Sequence, residues 1–112
     1  MPVVFVIARD WKLRAMVRAE LRERGVTALG MQTGSEAGER IASGIIPAVV
    51  VLEAEETGAP GLAWLARRVP FVVVASGLDA TAWPQAAKLL RRPVRVGEIV
   101  AATLDLLEGR QA

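Results

Sequence analysis

Short, almost purely apolar runs alternate along the chain with longer segments in which apolar residues recur every three or four positions. The short runs predict strands buried on both faces of a parallel sheet, and the longer segments predict helices that cover the sheet. Apolar runs predict strands at residues 3–8, 26–31, 48–52, 71–75 and 89–91. Their alternation with helical segments predicts an α/β fold with right-handed crossovers.

Residues with capping preferences mark where the predicted helices begin and end. Asp10 and Gly25 flank a segment with one apolar face, which predicts the first helix. Thr33 and Glu36 have the spacing of a capping box, so a second helix is expected to run until near Gly44. Three more helices are expected: one from near Pro60 to Pro70, a weak one over 79–88 interrupted by Pro84, and a final one from Gly97 to Glu108, closed by Gly109.

Length and composition limit the class of protein. A chain of 112 residues with 53% hydrophobic content is expected to form a single domain, 1–112, with one well-buried core. Cys and His are absent from the sequence, which excludes disulfides, thiolate or imidazole metal sites and Ser-His triads. The apolar runs are too short to span a membrane, and no secretory leader is apparent. We therefore expect a cytoplasmic domain without a cofactor.

The charge balance gives little support to nucleic-acid binding. The sequence has fourteen basic and twelve acidic residues, so the net charge is only +2. The sequence pI is about 9.9, because the small surplus of basic residues consists mainly of arginine, which stays charged at high pH. Nucleic-acid binding normally needs a clustered basic patch, and the paired arginines are accompanied by neither a recognition helix nor stacking aromatics. Binding of nucleic acid is therefore not expected.

Polar residues follow several of the predicted strands. A chain this short favours the flavodoxin-like strand order 2-1-3-4-5, in which ligands bind at the carboxyl ends of the strands. Those ends carry Arg9, Asp10, Glu53, Ser76 and Arg92. Neither G-x-G-x-x-G nor a Walker A loop is present, so no motif supports nucleotide binding. A carboxylate at the end of a buried strand is costly unless it is paired or used, which makes Glu53 the residue of interest.

The order and spacing of several segments resemble those of a bacterial response-regulator receiver domain over nearly the whole chain. The resemblance lies in the segments "PAVVVLE" (47–53), "LLRRP" (89–93) and "VGEIVAATLDLL" (96–107), with Gly61 eight residues after Glu53. It implies a three-layer fold with a five-stranded parallel sheet, and a role in two-component signal transduction. In that family an Asp accepts a phosphoryl group with the help of magnesium, which an acidic pair after the first strand holds.

This sequence departs from the family at the positions that carry out the phosphorylation. The acidic pair corresponds to Ala8 and Arg9, with Asp10 beside them, and the phospho-accepting position is Glu53. Magnesium prefers several oxygen ligands, so an arginine at a ligand position brings the wrong charge. Phosphoryl transfer to a carboxylate relies on metal and cations to neutralise developing charge. The resemblance therefore favours a receiver fold that has lost its phosphorylation switch, without enzymatic activity and without a metal.

The remaining switch positions differ as well. Ala75 stands at the family's hydroxyl position, Arg92 at its lysine position and Leu89 at its switch aromatic. Ser76 comes one residue late, so strand alternation predicts that it points the other way. We expect Glu53 to pair with Arg92 or Arg9, since an arginine can meet a carboxylate with two hydrogen bonds. The alternative is that Glu53 lies solvated at the strand end.

The final helix carries two apolar stripes, where a helix at the edge of a sheet needs one. Ile99, Thr103 and Leu106 form the first stripe; Val100, Leu104 and Leu107 form the second. The second stripe predicts an exposed surface for a protein partner, by default a homodimer through this helix. A histidine kinase or an output protein is the other expected partner. A wider contact with the core is the alternative explanation.

Two rival functions stay open from the sequence. One is an active, magnesium-dependent phospho-acceptor in which Asp10 contributes to metal binding. The other is a binder of a small ligand or nucleic acid that uses the arginines at the strand ends.

Overall fold

The computed structural model describes residues 2–54, 62–76, 83 and 86–111, except for the side chains of residues 110 and 111. The strands are β1 (Val3–Ile7), β2 (Thr27–Met31), β3 (Val49–Glu53), β4 (Phe71–Ala75) and β5 (Lys88–Arg91). The helices, numbered among the described residues, are α1 (Trp11–Glu23), α2 (Gly34–Ala42), α3 (Leu62–Ala66) and α4 (Val96–Gln111). Each predicted strand is thus present, and none of its ends is shifted by more than one residue.

The strands form one parallel sheet in the order β2-β1-β3-β4-β5, which confirms the predicted flavodoxin-like architecture. Their register brings the carboxyl ends to one edge of the sheet. Ile7 lies beside both Met31 and Leu52, and Glu53 lies beside Val74. Residues that follow β1, β3, β4 and β5 therefore meet at that edge.

Alternate residues of the central strands build two separate cores, because successive side chains point to opposite faces of a sheet. On one face Phe5, Ile7 and Leu52 pack with α2 and α3 residues and with Trp83, which stacks on Phe71. The other face packs against α1 and α4, and its buried members include Val4, Val6, Val49, Val51, Val72, Val74, Val17, Leu21 and Ile99. Burial on both faces explains why the central strands are apolar throughout, apart from Glu53 at the end of β3.

The predicted helix caps are confirmed. Asp10 caps α1, since its side chain accepts hydrogen bonds from the backbone N–H groups of Lys12 and Leu13. Gly25 then takes a positive φ of 80°, the left-handed conformation that glycine adopts without a steric penalty. Thr33 caps α2 by accepting from the N–H of Glu36.

Some predicted boundaries are wrong or lie outside the described residues. α4 continues to Gln111, so Gly109 does not close it. β5 begins at Lys88, which the sequence assigned to a weak helix over 79–88. Most of that helix, including Pro84, lies outside the described residues, as does Pro60. Among the described helices, none has the length and hydropathy that crossing a bilayer requires.

The expected exposed stripe on the final helix is a further error. Val100 is 1% exposed and Leu107 is 6% exposed, and both belong to the core on the α1 side of the sheet. Leu104 is half-buried and packs against the same core. α4 contacts α1 as well as β3 and β4, so its two apolar stripes are buried between the helix α1 and the sheet. The stripe therefore gives no support to a dimer through this helix.

Candidate functional site: a carboxylate bound at the strand ends

The candidate site lies at the carboxyl edge of the sheet and is built from the residues that follow the central strands. Glu53 is the last residue of β3, and the backbone of Arg9 and Asp10 connects β1 to α1. Arg92 follows β5, and its N–H donates to the carbonyl of Ala75 at 2.9 Å. This bond holds the end of β5 against the end of β4. From there the Arg92 side chain reaches Glu53 at the end of β3, the strand on the other side of β4.

Glu53 is buried, and the structure gives three hydrogen bonds to its carboxylate. Its Oε1 accepts from the N–H of Arg9 at 2.9 Å and from the N–H of Asp10 at 3.2 Å. Its Oε2 accepts from Nη2 of Arg92 at 2.5 Å, in an ion pair. The Glu53 side chain is 6% exposed, whereas that of Arg92 is 37% exposed. The expected pairing with Arg92 is confirmed, and the solvated alternative is wrong.

This arrangement compensates the cost of burying a charge. A carboxylate taken from water is tolerated when a cation and hydrogen-bond donors replace its hydration. Here one donor is a guanidinium and the other two are backbone amides just before α1. Hydrogen bonds that involve an ionised partner are roughly twice as strong as neutral ones. Glu53 therefore connects three strand ends, those of β1, β3 and β5, through its single side chain.

The side chain of Asp10 caps α1, and its backbone N–H donates to Glu53. Its Oδ1 accepts from the N–H of Lys12 at 2.9 Å and from that of Leu13 at 3.3 Å. A carboxylate used in this way satisfies two of the free N–H groups of the helix. Its own N–H donates to Glu53. The two carboxylates thus bind different donors and do not converge on a shared point.

Two of the other predicted site residues, Ala8 and Ala75, bring no polar side chain to this edge. Ala8 and Ala75 are buried and present only methyl groups. The carbonyl of Ala8 accepts from Nη1 of Arg14 at 2.6 Å. Ser76 follows β4 directly and is half-buried, with polar interactions of its own. Arg92 is joined to Pro93 by a cis peptide bond.

The described residues at this edge do not fit a magnesium ion. Magnesium binds in proteins through carboxylate oxygens and retained waters in octahedral geometry. Ala8 and Arg9 offer no carboxylate at the positions of the metal-binding pair. The carboxylate of Asp10 caps a helix, and that of Glu53 is bound by Arg92. Within the described part of the chain, no group of three His, Cys, Asp or Glu residues is arranged to hold a metal ion.

The capping role of Asp10 leads to a testable expectation. Asp10→Ala should lower the free energy of unfolding by about 1 kcal/mol, because the α1 N-terminus loses its side-chain acceptor. Asp10→Asn should keep nearly all of the stability, since an Asn oxygen caps as well as an Asp oxygen does. Chemical denaturation of the two variants measures the difference. Equal losses in both variants would show that the negative charge, and not the cap, is what Asp10 contributes.

The sequence did not reveal the backbone donors or Arg14. Backbone N–H groups leave no trace in residue type, so the bonds from Arg9 and Asp10 could not be read from the chain. The contact of Arg14 had a usable signal. Helical side chains lean toward the helix N-terminus, so an arginine one turn into α1 points back toward the end of β1. Its bond to Ala8 follows this direction.

No protein-family model matches the chain, and the curated proteins contain no match to its sequence. Solved structures match over nearly its whole length.

A response regulator receiver protein from Burkholderia phymatum has a TM-score of 0.76 and 22% identity, covering 96% of each chain. One from Sinorhizobium medicae has a TM-score of 0.80 and 20% identity, covering 97% of this chain and 96% of its own. A structure from the streptococci, of redox sensors that evolved from two-component response regulators, has a TM-score of 0.80 and 14% identity. The match covers 99% of this chain and 53% of the streptococcal chain.

These likenesses establish the fold. The sheet order, the parallel register and the position of Glu53 at the end of β3 agree with it. The chain therefore has the fold of a response regulator receiver domain.

Proposed function

We propose that this chain is a receiver-like interaction module in a signalling pathway, and that it does not accept a phosphoryl group. It acts without catalysis and without a metal, through contacts with other proteins. A histidine kinase, an output protein and a second copy of the chain are the partner classes that this role admits. One observation carries the proposal: the carboxylate at the phospho-accepting position is buried and bound by a guanidinium and two backbone amides.

Chemistry explains why such a carboxylate is a poor phosphoryl acceptor. A nucleophilic oxygen must present a lone pair to the incoming phosphorus in line with the leaving group. Oε1 of Glu53 already accepts two hydrogen bonds, and Oε2 is paired with Arg92. Both oxygens are also shielded, since the side chain is 6% exposed. Breaking these bonds would leave a buried charge and three donors without partners.

The fold by itself is compatible with a role that does not use phosphorylation. One of the similar structures comes from redox sensors that evolved from two-component response regulators. The present chain has no Cys, so thiol chemistry offers it no route to such sensing. A fixed conformation that partners recognise is the simpler role. The Glu53–Arg92 pair supports this interpretation, because it adds a side-chain link between the ends of β3 and β5, which are not paired directly in the sheet.

The decisive experiment is phosphorylation by a small donor. The purified chain, incubated with acetyl phosphate and millimolar magnesium, should show no phosphoryl adduct by intact mass spectrometry. Beryllofluoride with magnesium should leave the melting temperature and the tryptophan fluorescence unchanged. An active receiver domain treated in parallel provides the positive control.

Glu53→Asp should also stay unlabelled, because Ala8 and Arg9 still supply no carboxylate for magnesium. Saturable, magnesium-dependent labelling of the parent chain would instead establish the rival function, an active phospho-acceptor. Labelling of Glu53→Asp alone would show that the remaining residues can support the reaction and that the glutamate is what prevents it.

A further inference from the structure

Three arginines form a continuous ridge along α1. Arg14, Arg18 and Arg22 are four residues apart, so they lie one above another on the same helix face. The rise of an α-helix places successive members about 6 Å apart along its axis. Trp11 begins the same face one turn earlier and is 64% exposed. We call Arg14, Arg18 and Arg22 the arginine ridge.

The fold holds the arginine ridge against strand β2, at the outer edge of the sheet. Nε of Arg18 and Nη2 of Arg22 both lie 3.4 Å from the carbonyl oxygen of Ala28. The carbonyl of Met31 accepts from Ala8, so it points toward β1; by strand alternation that of Ala28 points outward. The two arginines therefore cover part of the free edge of β2.

Gly30 provides the space in which the ridge lies. A Cβ atom at Gly30 would stand 2.7 Å from Cδ of Arg18 and 3.2 Å from Cδ of Arg14. Contacts under 3.0 Å do not occur without a shift of one of the atoms. The side chains are thus packed across a strand and are not freely extended into water. Packing of this kind lowers the entropy that a long side chain loses when it binds.

The charge of the ridge is not neutralised within the described residues. Each of the three guanidiniums has a carbonyl partner, but the structure gives none of them a carboxylate. The pKa of Arg18 lies below its ordinary value, first because the side chain is partly desolvated and then because Arg22 and Arg14 repel its charge. Like charges four residues apart destabilise a helix. The mutual repulsion of the three guanidiniums is therefore a cost that an anionic ligand would relieve.

We propose that the arginine ridge binds an acidic segment of a protein partner, with carboxylates about 6 Å apart, as on a helix with acidic residues every four positions. Arginine meets a carboxylate with two parallel hydrogen bonds, and each guanidinium of the ridge keeps donors free for this contact. Trp11 supplies an exposed aromatic anchor at one end, of the kind that interfaces favour. This inference rests on the proposed interaction function and names the chemistry of one partner.

A protein partner fits these observations better than a nucleic acid. The ridge holds three arginines over about 12 Å of helix, and the net charge of the chain is only +2. Nucleic-acid binding gains its affinity from many phosphate contacts over an extended basic surface. Addition of a partner strand to β2 is also disfavoured, because Arg18 and Arg22 cover the Ala28 carbonyl. Binding of side-chain carboxylates of a protein partner is therefore the mode of recognition that these observations favour.

The test measures binding of a fluorescein-labelled helical peptide with glutamates four residues apart on one face. At low salt it should bind the parent chain, and glutamine in place of its glutamates should abolish binding. The triple variant Arg14→Gln, Arg18→Gln, Arg22→Gln should weaken binding by about tenfold or more. The control variant Arg40→Gln, Arg67→Gln, Arg95→Gln has the same net charge but changes exposed arginines elsewhere, and it should bind like the parent.

Three results would overturn the proposal. Equal losses in the two triple variants would mean that net charge alone attracts the peptide. Tighter binding of a single-stranded DNA of equal charge, lost in the ridge variant, would make the ridge a nucleic-acid site. Failure of the parent chain to bind the peptide at low salt would be the third, and circular dichroism of each variant verifies that it is folded before binding is compared. The assay contains no magnesium or phosphodonor, so its outcome is independent of the phosphorylation test.

Discussion

Glu53→Ala is expected to lower the free energy of unfolding by about 2–4 kcal/mol. The change removes the acceptor of Arg92 and of the backbone N–H groups of Arg9 and Asp10 at once. Removing one partner of a fully buried ion pair costs about 3–5 kcal/mol, and each orphaned buried donor costs about 1–3 kcal/mol. Because Arg92 is 37% exposed, water hydrates it partly and reduces the loss. Denaturant unfolding with a global fit measures the change.

Two further variants isolate the reason for this loss. Glu53→Gln keeps the volume of the side chain, but its amide has only one acceptor oxygen, so it cannot accept from Arg92 and from the backbone N–H groups at the same time. We expect it to be less stable than the parent and more stable than Glu53→Ala. Glu39→Ala removes an exposed carboxylate from α2 and should change stability by no more than about 0.5 kcal/mol. If Glu53→Ala unfolds at the same denaturant concentration as the parent, the carboxylate does not hold the strand ends together.

Leu107→Ala is expected to cost about 2–4 kcal/mol of unfolding free energy, because it leaves a cavity between α4 and the sheet. Leu107 is 6% exposed and packs with the core on the α1 side. In a domain of this size such a loss lowers the melting temperature by roughly 10 °C or more. Thermal unfolding followed by circular dichroism measures the shift, and the folded variant should elute from a sizing column with the parent.

Met16 provides the matched control for Leu107. It is an apolar residue on α1 that is 54% exposed, so Met16→Ala should change stability by at most about 0.5 kcal/mol. The pair of variants separates a core position from a surface position of similar chemistry. Parent-like stability of Leu107→Ala, together with a change in elution volume, would return the stripe of Val100, Leu104 and Leu107 to the role of a partner surface.

The sequence predicted the layers and the strand order because the patterns behind them are local. Strands buried on both faces read as continuous apolar runs, and the helices between them show a period of 3.6 residues. The caps at Asp10 and Thr33 were predictable for the same reason, since each bonds a backbone group two or three residues away. The weak helix over 79–88 had no clear period, and its last predicted residue, Lys88, belongs to β5.

The error at α4 shows where a one-dimensional pattern stops being informative. Two apolar stripes on a helix predict two contacts but do not say with what. In the fold, the second stripe is buried within the same chain, because α4 packs on the sheet and also has α1 as a neighbour. This neighbour is far away in the sequence, and its position is fixed by the crossovers around the sheet. A pattern within one helix therefore could not distinguish a core contact from an interface.

By itself the sequence determined that a carboxylate ends the third strand, that cations stand at two other strand ends, and that Ala8 and Arg9 follow the first strand where the resemblance expects an acidic pair. The tertiary structure decided how these groups are used. Glu53 and Arg92 are 39 residues apart in the chain, and only the parallel register of β3, β4 and β5 brings their side chains together. The pairing of β1 with β3 brings the N–H groups of Arg9 and Asp10 to Glu53, and the packing of α1 on β2 lays the arginine ridge across Gly30. Residue types specify which interactions a group can make, whereas distances set by packing between remote segments decide which of them it does make.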